Sequence, residues 1–441
     1  MSRTLIRGAR LLGGPAADLL IDAGRIVEVG SVRNAPDIGV VDADGLVALP
    51  GLVDLHVHLR EPGREDAETI ATGAESAAAG GFTAVLAMAN TEPPTDTAEA
   101  AERVFDLGRA TYLVDVQPVG AVTKALAGQE LAELALMARS RARVRVFSDD
   151  GHCVTDARLM RRALEYVKPF GGVITQHAQD PRLAGSDACC HESELSGRLG
   201  LPGWPGIAEE SIIARDVMLA RHTGSRVHIA HVSTAGSVEV IRWAKAQGID
   251  VTAEVTPHHL ALTHDLVSGY DPVFKVNPPL RPEEDVRELR KALADGTIDA
   301  VATDHAPHAR HDKEHAFVDA AFGMLGLETA LSVVSDVMVS SSDGPLLDWA
   351  GVARVMSINP ARIARLDDHG QPLVAGSPAN ITLVDPDARV TVDREVSHSL
   401  SRNNPWHGRT LTGAVVATHL RGACSARNGR ALISEFGGAR R

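Results

Sequence analysis

Between Leu52 and Met338, short apolar runs alternate with amphipathic stretches, eight of each. The runs cover residues 52–59, 82–88, 112–119, 144–147, 172–176, 226–232, 249–255 and 298–302. The helical patterns that follow them cover 67–79, 96–107, 130–138, 156–167, 208–222, 237–246, 282–293 and 324–338. An apolar run too short for a helix, followed by a stretch with a 3.6-residue period, reads as a buried strand feeding a crossover helix. Repetition of that unit eight times predicts an α/β chain with a (β/α)8 TIM-like barrel. An open doubly wound sheet would place a Gly-rich phosphate turn after its first strand, and there is none here.

The two ends have a different texture. Thr4–Arg7, Asp18–Ile21 and Arg25–Gly30 read as short strands, with turns at Gly13-Gly14-Pro15 and Asp22-Ala23-Gly24. The same pattern returns in Asn380–Asp385, Arg389–Val392 and Gly413–Thr418, with turns at Gly376-Ser377-Pro378 and Asp385-Pro386-Asp387. The expected organisation is therefore a small β-sandwich built from both chain ends, residues 1–50 and 371–441, flanking a catalytic barrel over 51–370.

In a barrel, chemistry collects where strands end at their C-terminal side. The first run carries His56, His58 and Arg60 at i, i+2 and i+4, on one face of a strand. The second ends in Asn90, the fourth in Ser148-Asp149-Asp150-Gly151, the fifth in His177, the sixth in His231 and the eighth in Asp304-His305. A single buried histidine is usually a hydrogen-bonded core residue. Four histidines and two aspartates at matching ends of different strands are hard to explain that way, and they read as a metal site.

Histidine and carboxylate without thiolate suit zinc or another borderline divalent ion. Six ligands exceed what one catalytic zinc takes and suit two zincs sharing a bridging carboxylate, from Asp149 or Asp150. Two metals sharing a hydroxide lower its pKa and polarise a carbonyl, which is the chemistry of amide or ester hydrolysis and its reverse. Asp304 is placed to move the proton.

The net charge of −13 argues against nucleic acid or an anionic membrane surface as partner, so an anionic substrate would need positive charge built locally. No apolar run is long enough to span a bilayer. Met1–Gly14 lacks the continuous apolar stretch of a secretory signal. Cys153, Cys189, Cys190 and Cys424 form no C-x-x-C pair and fit a reducing, cytoplasmic setting.

Four motifs carry a resemblance. Gly51-Leu52-Val53-Asp54-Leu55-His56-Val57-His58-Leu59-Arg60-Glu61-Pro62-Gly63, Ala253-Glu254-Val255-Thr256-Pro257-His258-His259-Leu260, Asn277-Pro278-Pro279-Leu280-Arg281 and Ala302-Thr303-Asp304-His305-Ala306-Pro307-His308 resemble those of dihydroorotases in the amidohydrolase superfamily. Phe147-Ser148-Asp149-Asp150-Gly151 has no lysine to carbamylate and resembles the class I type, which implies Asp150 as the bridge. The resemblance further implies His56, His58 and Asp304 as ligands of one zinc and His177 and His231 as ligands of the other. It implies Arg60 and Asn90 as holders of the substrate carboxylate. Asn277, His308 and the Phe322-Gly323 backbone would meet the pyrimidine face.

The implied reaction is reversible cyclisation of N-carbamoyl-L-aspartate to L-dihydroorotate in pyrimidine biosynthesis, with Asp304 as general acid and base. Another cyclic amidohydrolase, of hydantoinase or allantoinase type, and a non-catalytic partner of aspartate carbamoyltransferase are the rival readings. Self-association and assembly with that carbamoyltransferase are the implied partnerships.

Two positions depart from the family pattern. Ala89 stands where proline is usual, which would loosen the loop holding Asn90. Ala178-Gln179-Asp180 replaces a more acidic stretch beside His177. Of the other histidines, His258 and His259 read as structural, His305 as support for Asp304, and His152 as pointing elsewhere. The His-rich stretch over 309–322 reads as a lid.

Overall fold

The computed structural model describes residues 3–33, 38–342 and 344–432. All eight apolar runs become strands. Leu52–Val57, Phe82–Ala87 and Asp115–Pro118 form one parallel set. Val146–Phe147, Val173–Gln176, Val227–Ile229, Val251–Val255 and Ala300–Val301 form a second, also parallel and paired in chain order. Single parallel bridges join the sets at both margins, Gly120 with Phe147 and Val57 with His305. His58 N–H donates to His305 O at 2.8 Å, and Ser148 N–H to Gly120 O at 2.9 Å.

The first two strands are buried at every residue. That is why they read as unbroken apolar runs: a parallel strand covered on both faces has no polar side to alternate with. The ladders stop before the runs do. His58, Asn90, Asp150, His177, His231 and Asp304 all lie one to three residues past the last residue of their strand. Helices follow each strand, among them Ile70–Ala79 and Ala157–Val167. Thr69 caps the first with its side-chain oxygen and Asp156 the second. None of the helices is long and apolar enough to cross a membrane among the described residues.

The last helix differs from the expected 324–338. It begins at Ala330 and continues through Ser335–Val339 as a wider π turn. Met324 is instead bridged to His305, and Gly326 packs against Thr303, where a Cβ would stand 2.8 Å from Thr303 Cβ. The chain there runs as a bridge and a turn before the helix begins.

The two chain ends pair, as their texture suggested. Hydrogen bonding makes them one nine-stranded sheet among the described residues. The link is Val47–Pro50, a short buried strand the sequence reading did not single out. It pairs antiparallel with Ile381–Thr391 and parallel with Thr4–Leu11. Asp385-Pro386-Asp387 is a bulge inside Ile381–Thr391 and not a turn between two strands. Asp385 Oδ1 accepts from Asp387 N–H at 3.0 Å and Ala388 N–H at 3.1 Å, so the chain kinks and carries on. Ile6, Leu19, Ile26, Ile381 and Leu383 form a core under this sheet, separate from the main one.

Candidate metal centre

His56 and His58 leave the first strand on the same face, and the ends of the fourth, fifth, sixth and eighth strands converge on them. His56, His58 and Asp150 offer donor atoms within 4.8 Å of one another, as do Asp150, His177 and His231. Asp150 belongs to both groups. One of its oxygens is 3.3 Å from His56 Nε2 and 3.5 Å from both His177 Nδ1 and His231 Nε2. Its other oxygen is 3.4 Å from His58 Nε2. Asp304 Oδ1 stands 3.0 Å from His58 Nε2 and 3.5 Å from His56 Nε2.

Asp149 is turned away. Its carboxylate accepts from Val122 N–H at 2.8 Å, from Thr123 N–H at 2.9 Å and from the Thr123 hydroxyl. Of the adjacent aspartates, only Asp150 faces the histidines.

Some of the chain's left-handed backbone lies at the same place. Arg60, His231 and Asp304 hold φ angles of 61°, 34° and 47°. Left-handed backbone is uncommon for such residues and concentrates at functional sites. Asp54 keeps two strand ends together, accepting on one oxygen from His56 N–H and Thr303 N–H, both at 3.0 Å. Burial pushes its carboxyl up to about 6.

The donor residues are buried, and their charges answer to one another. Burial opposes charge on His56, yet Asp150 and Asp304 raise it well above the ordinary imidazole value. Asp150 falls well below the usual carboxylate range; burial works against this, and His56, His177 and His231 outweigh it. Asp304 is likewise lowered against burial, chiefly by His56 and His58. Buried anions clustered around imidazoles call for cations between them. His56 Nε2 and Asp150 Oδ1 are buried and without a hydrogen-bond partner. Such atoms ask for a ligand. The donor set, imidazoles with a carboxylate common to both groups, fits a binuclear metal site.

A second ring of residues orients these donors. His56 Nδ1 is 2.9 Å from Glu254 Oε1, and Glu254 Oε2 is 3.0 Å from His228 Nε2. His58 Nδ1 is 2.9 Å from Asn90 Oδ1. His177 Nε2 is 2.9 Å from Gln179 Oε1, which also accepts from Asn277 Nδ2 at 2.9 Å. Gln179 thus takes the place of an acid without leaving His177 unheld. Glu254 was missed as a role-bearing residue; its signal is a carboxylate inside an apolar strand.

The other predicted residues line one side of the centre. Arg60 Nε donates to Pro307 O at 3.0 Å, and Nη2 lies 3.3 Å from His308 Nε2. Burial draws Arg60 down to about 10. Burial, then Arg60 and Lys313, hold His308 well below its ordinary value. His308 Nε2 is 2.6 Å from Phe322 O. Gly323 packs against it, since a Cβ there would meet His308 Nε2 at 2.9 Å. Asn90 Nδ2 also donates to Asp150 O at 3.3 Å, and Asn277 Oδ1 is buried without a partner.

His305 does not support Asp304. Its Nδ1 accepts from Gly326 N–H at 3.2 Å, and its Nε2 faces Glu68 at 3.4 Å, because the strand alternation turns it outward. His259 is structural, between Thr256 Oγ1 at 2.8 Å and Pro278 O at 3.1 Å. The His258 ring lies tilted against that of His259, their centroids 4.6 Å apart, and its buried Nε2 has no partner.

Comparison with known proteins places the chain among dihydroorotase-like relatives. A family model described as dihydro-orotase-like matches residues 45–237. A dihydroorotase of Streptomyces coelicolor is 60% identical over 430 residues, covering 98% of this chain and 100% of that protein. A dihydroorotase of Mycobacterium tuberculosis is 55% identical over 428 residues, covering 97% and 99%. Among solved structures, an L-hydantoinase (dihydropyrimidinase) from Arthrobacter aurescens superposes with a TM-score of 0.87 at 26% identity, covering 98% of each chain.

Proposed function

This chain belongs to the dihydroorotase family, and from that premise we propose that His56, His58, Asp150, His177, His231 and Asp304 hold two zinc ions at the mouth of a closed eight-stranded barrel. Its reaction is the reversible cyclisation of N-carbamoyl-L-aspartate to L-dihydroorotate. The observation that carries the two-zinc reading is Asp150, one carboxylate common to both histidine groups. His56, His58 and Asp304 would hold one ion and His177 and His231 the other, with Asp150 offered to both. Bound there, divalent ions would supply an acidified water and a polarised carbonyl.

The remaining steps belong to side chains. Arg60 meets the ring carboxylate, a planar fork suited to two oxygens. Its Nε is committed to Pro307 O, which fixes the guanidinium plane. Asn90 keeps one amide proton for the same carboxylate while its oxygen holds His58. The unpartnered Asn277 Oδ1 accepts a ring N–H. His308 and the Phe322-Gly323 backbone close over the other face.

In ring opening, Asp304 takes a proton from the attacking water and delivers it to the ring nitrogen as the C–N bond breaks. In ring closure it moves the proton the other way. Its lowered carboxyl stays ionised at neutral pH.

The units 1–50 with 371–441 and 51–370, a cytoplasmic setting, and assembly with aspartate carbamoyltransferase or a second copy belong to the same reading. The test is turnover of L-dihydroorotate, followed by ring absorbance, with metal analysis of the wild type and Asp150→Ala. Joint loss of metal and activity in the variant supports the bridged centre. Full metal with full activity sinks it. Hydantoin and allantoin in the same assay address the rival specificity, and co-elution with the carbamoyltransferase addresses assembly.

A further inference from the structure

Lys313 closes the short helix Arg310–Lys313 and turns inward, with 8% of its surface exposed. No carboxylate pairs with it among the described residues. Its ammonium ends on three main-chain carbonyls: Ala321 O at 2.8 Å, Gly323 O at 3.1 Å and Lys275 O at 3.3 Å. An ammonium has three donors, and all are used.

The three carbonyls come from the segments that frame the Phe322–Gly323 turn. Gly323 N–H donates to Lys275 O at 3.0 Å, and Ala321 N–H to Asp312 O at 2.9 Å. Asn403 Nδ2 reaches the same Gly323 carbonyl at 3.1 Å. Lys275 lies two residues before Asn277, and its own ammonium sits 4.3 Å above the Phe322 ring while donating to Val318 O at 2.8 Å. Phe322 O in turn holds His308. Lys313 is thus the point at which the loop after the eighth strand, the turn at Gly323 and the segment leading to Asn277 are tied.

A neutral donor would bond carbonyls without the desolvation penalty of a buried ammonium. The choice of lysine makes sense if an anion arrives beside it. The chain carries a net charge of −13, and Lys275, Lys313 and Arg60 gather positive charge around His308 and the Phe322–Gly323 turn. Lys313 and His308 also line a common cavity of about 250 Å³, which Asp271, Glu314 and Glu395 line as well.

We propose that Lys313 is a positioning residue for substrate: by tying Lys275, Ala321 and Gly323 together it sets the turn that carries His308 and Phe322 against the ring, and its charge favours the anion there. This rests on the reading of Asn277, His308 and Phe322–Gly323 as substrate contacts.

The experiment compares wild type, Lys313→Met, Lys313→Gln and Lys313→Arg for kcat, KM, metal content and Tm, with His308→Ala as control. Lys313→Met is expected to raise KM for L-dihydroorotate about tenfold or more while kcat stays within about threefold and metal is retained, the pattern of lost binding energy. Lys313→Arg, which keeps the charge, should recover part of the KM, and Lys313→Gln less. An unchanged KM in a folded, metal-loaded Lys313→Met or Lys313→Gln overturns the proposal. So does a fall in kcat that tracks lost metal. Failure of both neutral variants to fold makes Lys313 a folding residue and also overturns it. If His308→Ala leaves KM unchanged while Lys313→Met raises it, the contact reading falls and the role of Lys313 in binding stands.

Discussion

His56 Nδ1 lies 2.9 Å from Glu254 Oε1, so the first strand's proposed metal-binding imidazole is held from behind by a carboxylate on the seventh. Both side chains are shut off from water. The bond fixes which nitrogen points inward and makes the ring a stronger donor. The second Glu254 oxygen is taken by His228 at 3.0 Å, so its direction is fixed as well. Glu254→Gln should lower metal affinity by about 10–100-fold, with activity restored by added zinc. Titration with a competing chelator measures it; an affinity equal to wild type would dismiss the orienting role.

Gln179 makes a different use of an amide. Its single oxygen faces His177 Nε2 and accepts from Asn277 Nδ2, both at 2.9 Å. It joins a predicted metal ligand to a predicted substrate contact. Gln179→Ala should therefore weaken metal binding and raise KM together. Gln179→Glu, which keeps both acceptor roles, should restore both. Metal retention on dialysis and steady-state kinetics read the two effects, and recovery of only one of them would separate the roles.

A third expectation concerns the join between the third strand and the terminal sheet. Asp115 receives Arg421 in a two-pronged pair, at 2.6 and 2.8 Å, and faces His369 Nε2 at 2.8 Å. Burial would raise its carboxyl, but the bonds from Arg421 and His369 win and lower it from 3.8. A carboxyl depressed in the fold adds stability above its ordinary value and loses it as pH falls through the lower one. Asp115→Asn should thus cost about 1 kcal/mol near neutral pH, as suits a pair partly open to solvent. The gap in Tm should close as pH drops below 3.8. A gap that persists undiminished into stronger acid would assign the loss to packing.

These residues show what the sequence could and could not tell. His56, His58, Asp150, His177, His231 and Asp304 were legible because each interrupts an apolar run at a strand end, where burial alone would place no ionisable group. Glu254 was not, since inside Val251–Val255 it reads like any alternating strand residue until the facing histidines are known. Val47–Pro50 was too short to stand out, although it joins the two halves of the terminal sheet. Residues 324–329 are apolar enough to extend the last helix on paper; the backbone bridge from Met324 to His305 claims them instead. Lys313 was hidden for a plainer reason. In a stretch dense in charge, one lysine turned inward looks like all the others.

Gly323 offers the sharpest test of the wall opposite the metal ligands. Its φ of 139° is one that side-chain-bearing residues rarely adopt. A Cβ at this position would stand 2.7 Å from Ala306 Cβ and 2.9 Å from His308 Nε2. Either the turn or His308 must shift, and Ala306 cannot yield because its carbonyl is held by Asn403 Nδ2 at 2.9 Å. Gly323→Ala should cost about 1–3 kcal/mol of stability, in the range of a strained backbone or an overpacked core. It should also raise KM for L-dihydroorotate while metal content stays at the wild-type level, because no metal donor touches the turn. Gly296→Ala is the matched control. It too has a positive φ, 84°, but nothing lies within 4 Å of its Cβ position, so it should lose stability without any change in KM. Equal KM values in the two variants would show that displacement of His308 does not reach the substrate.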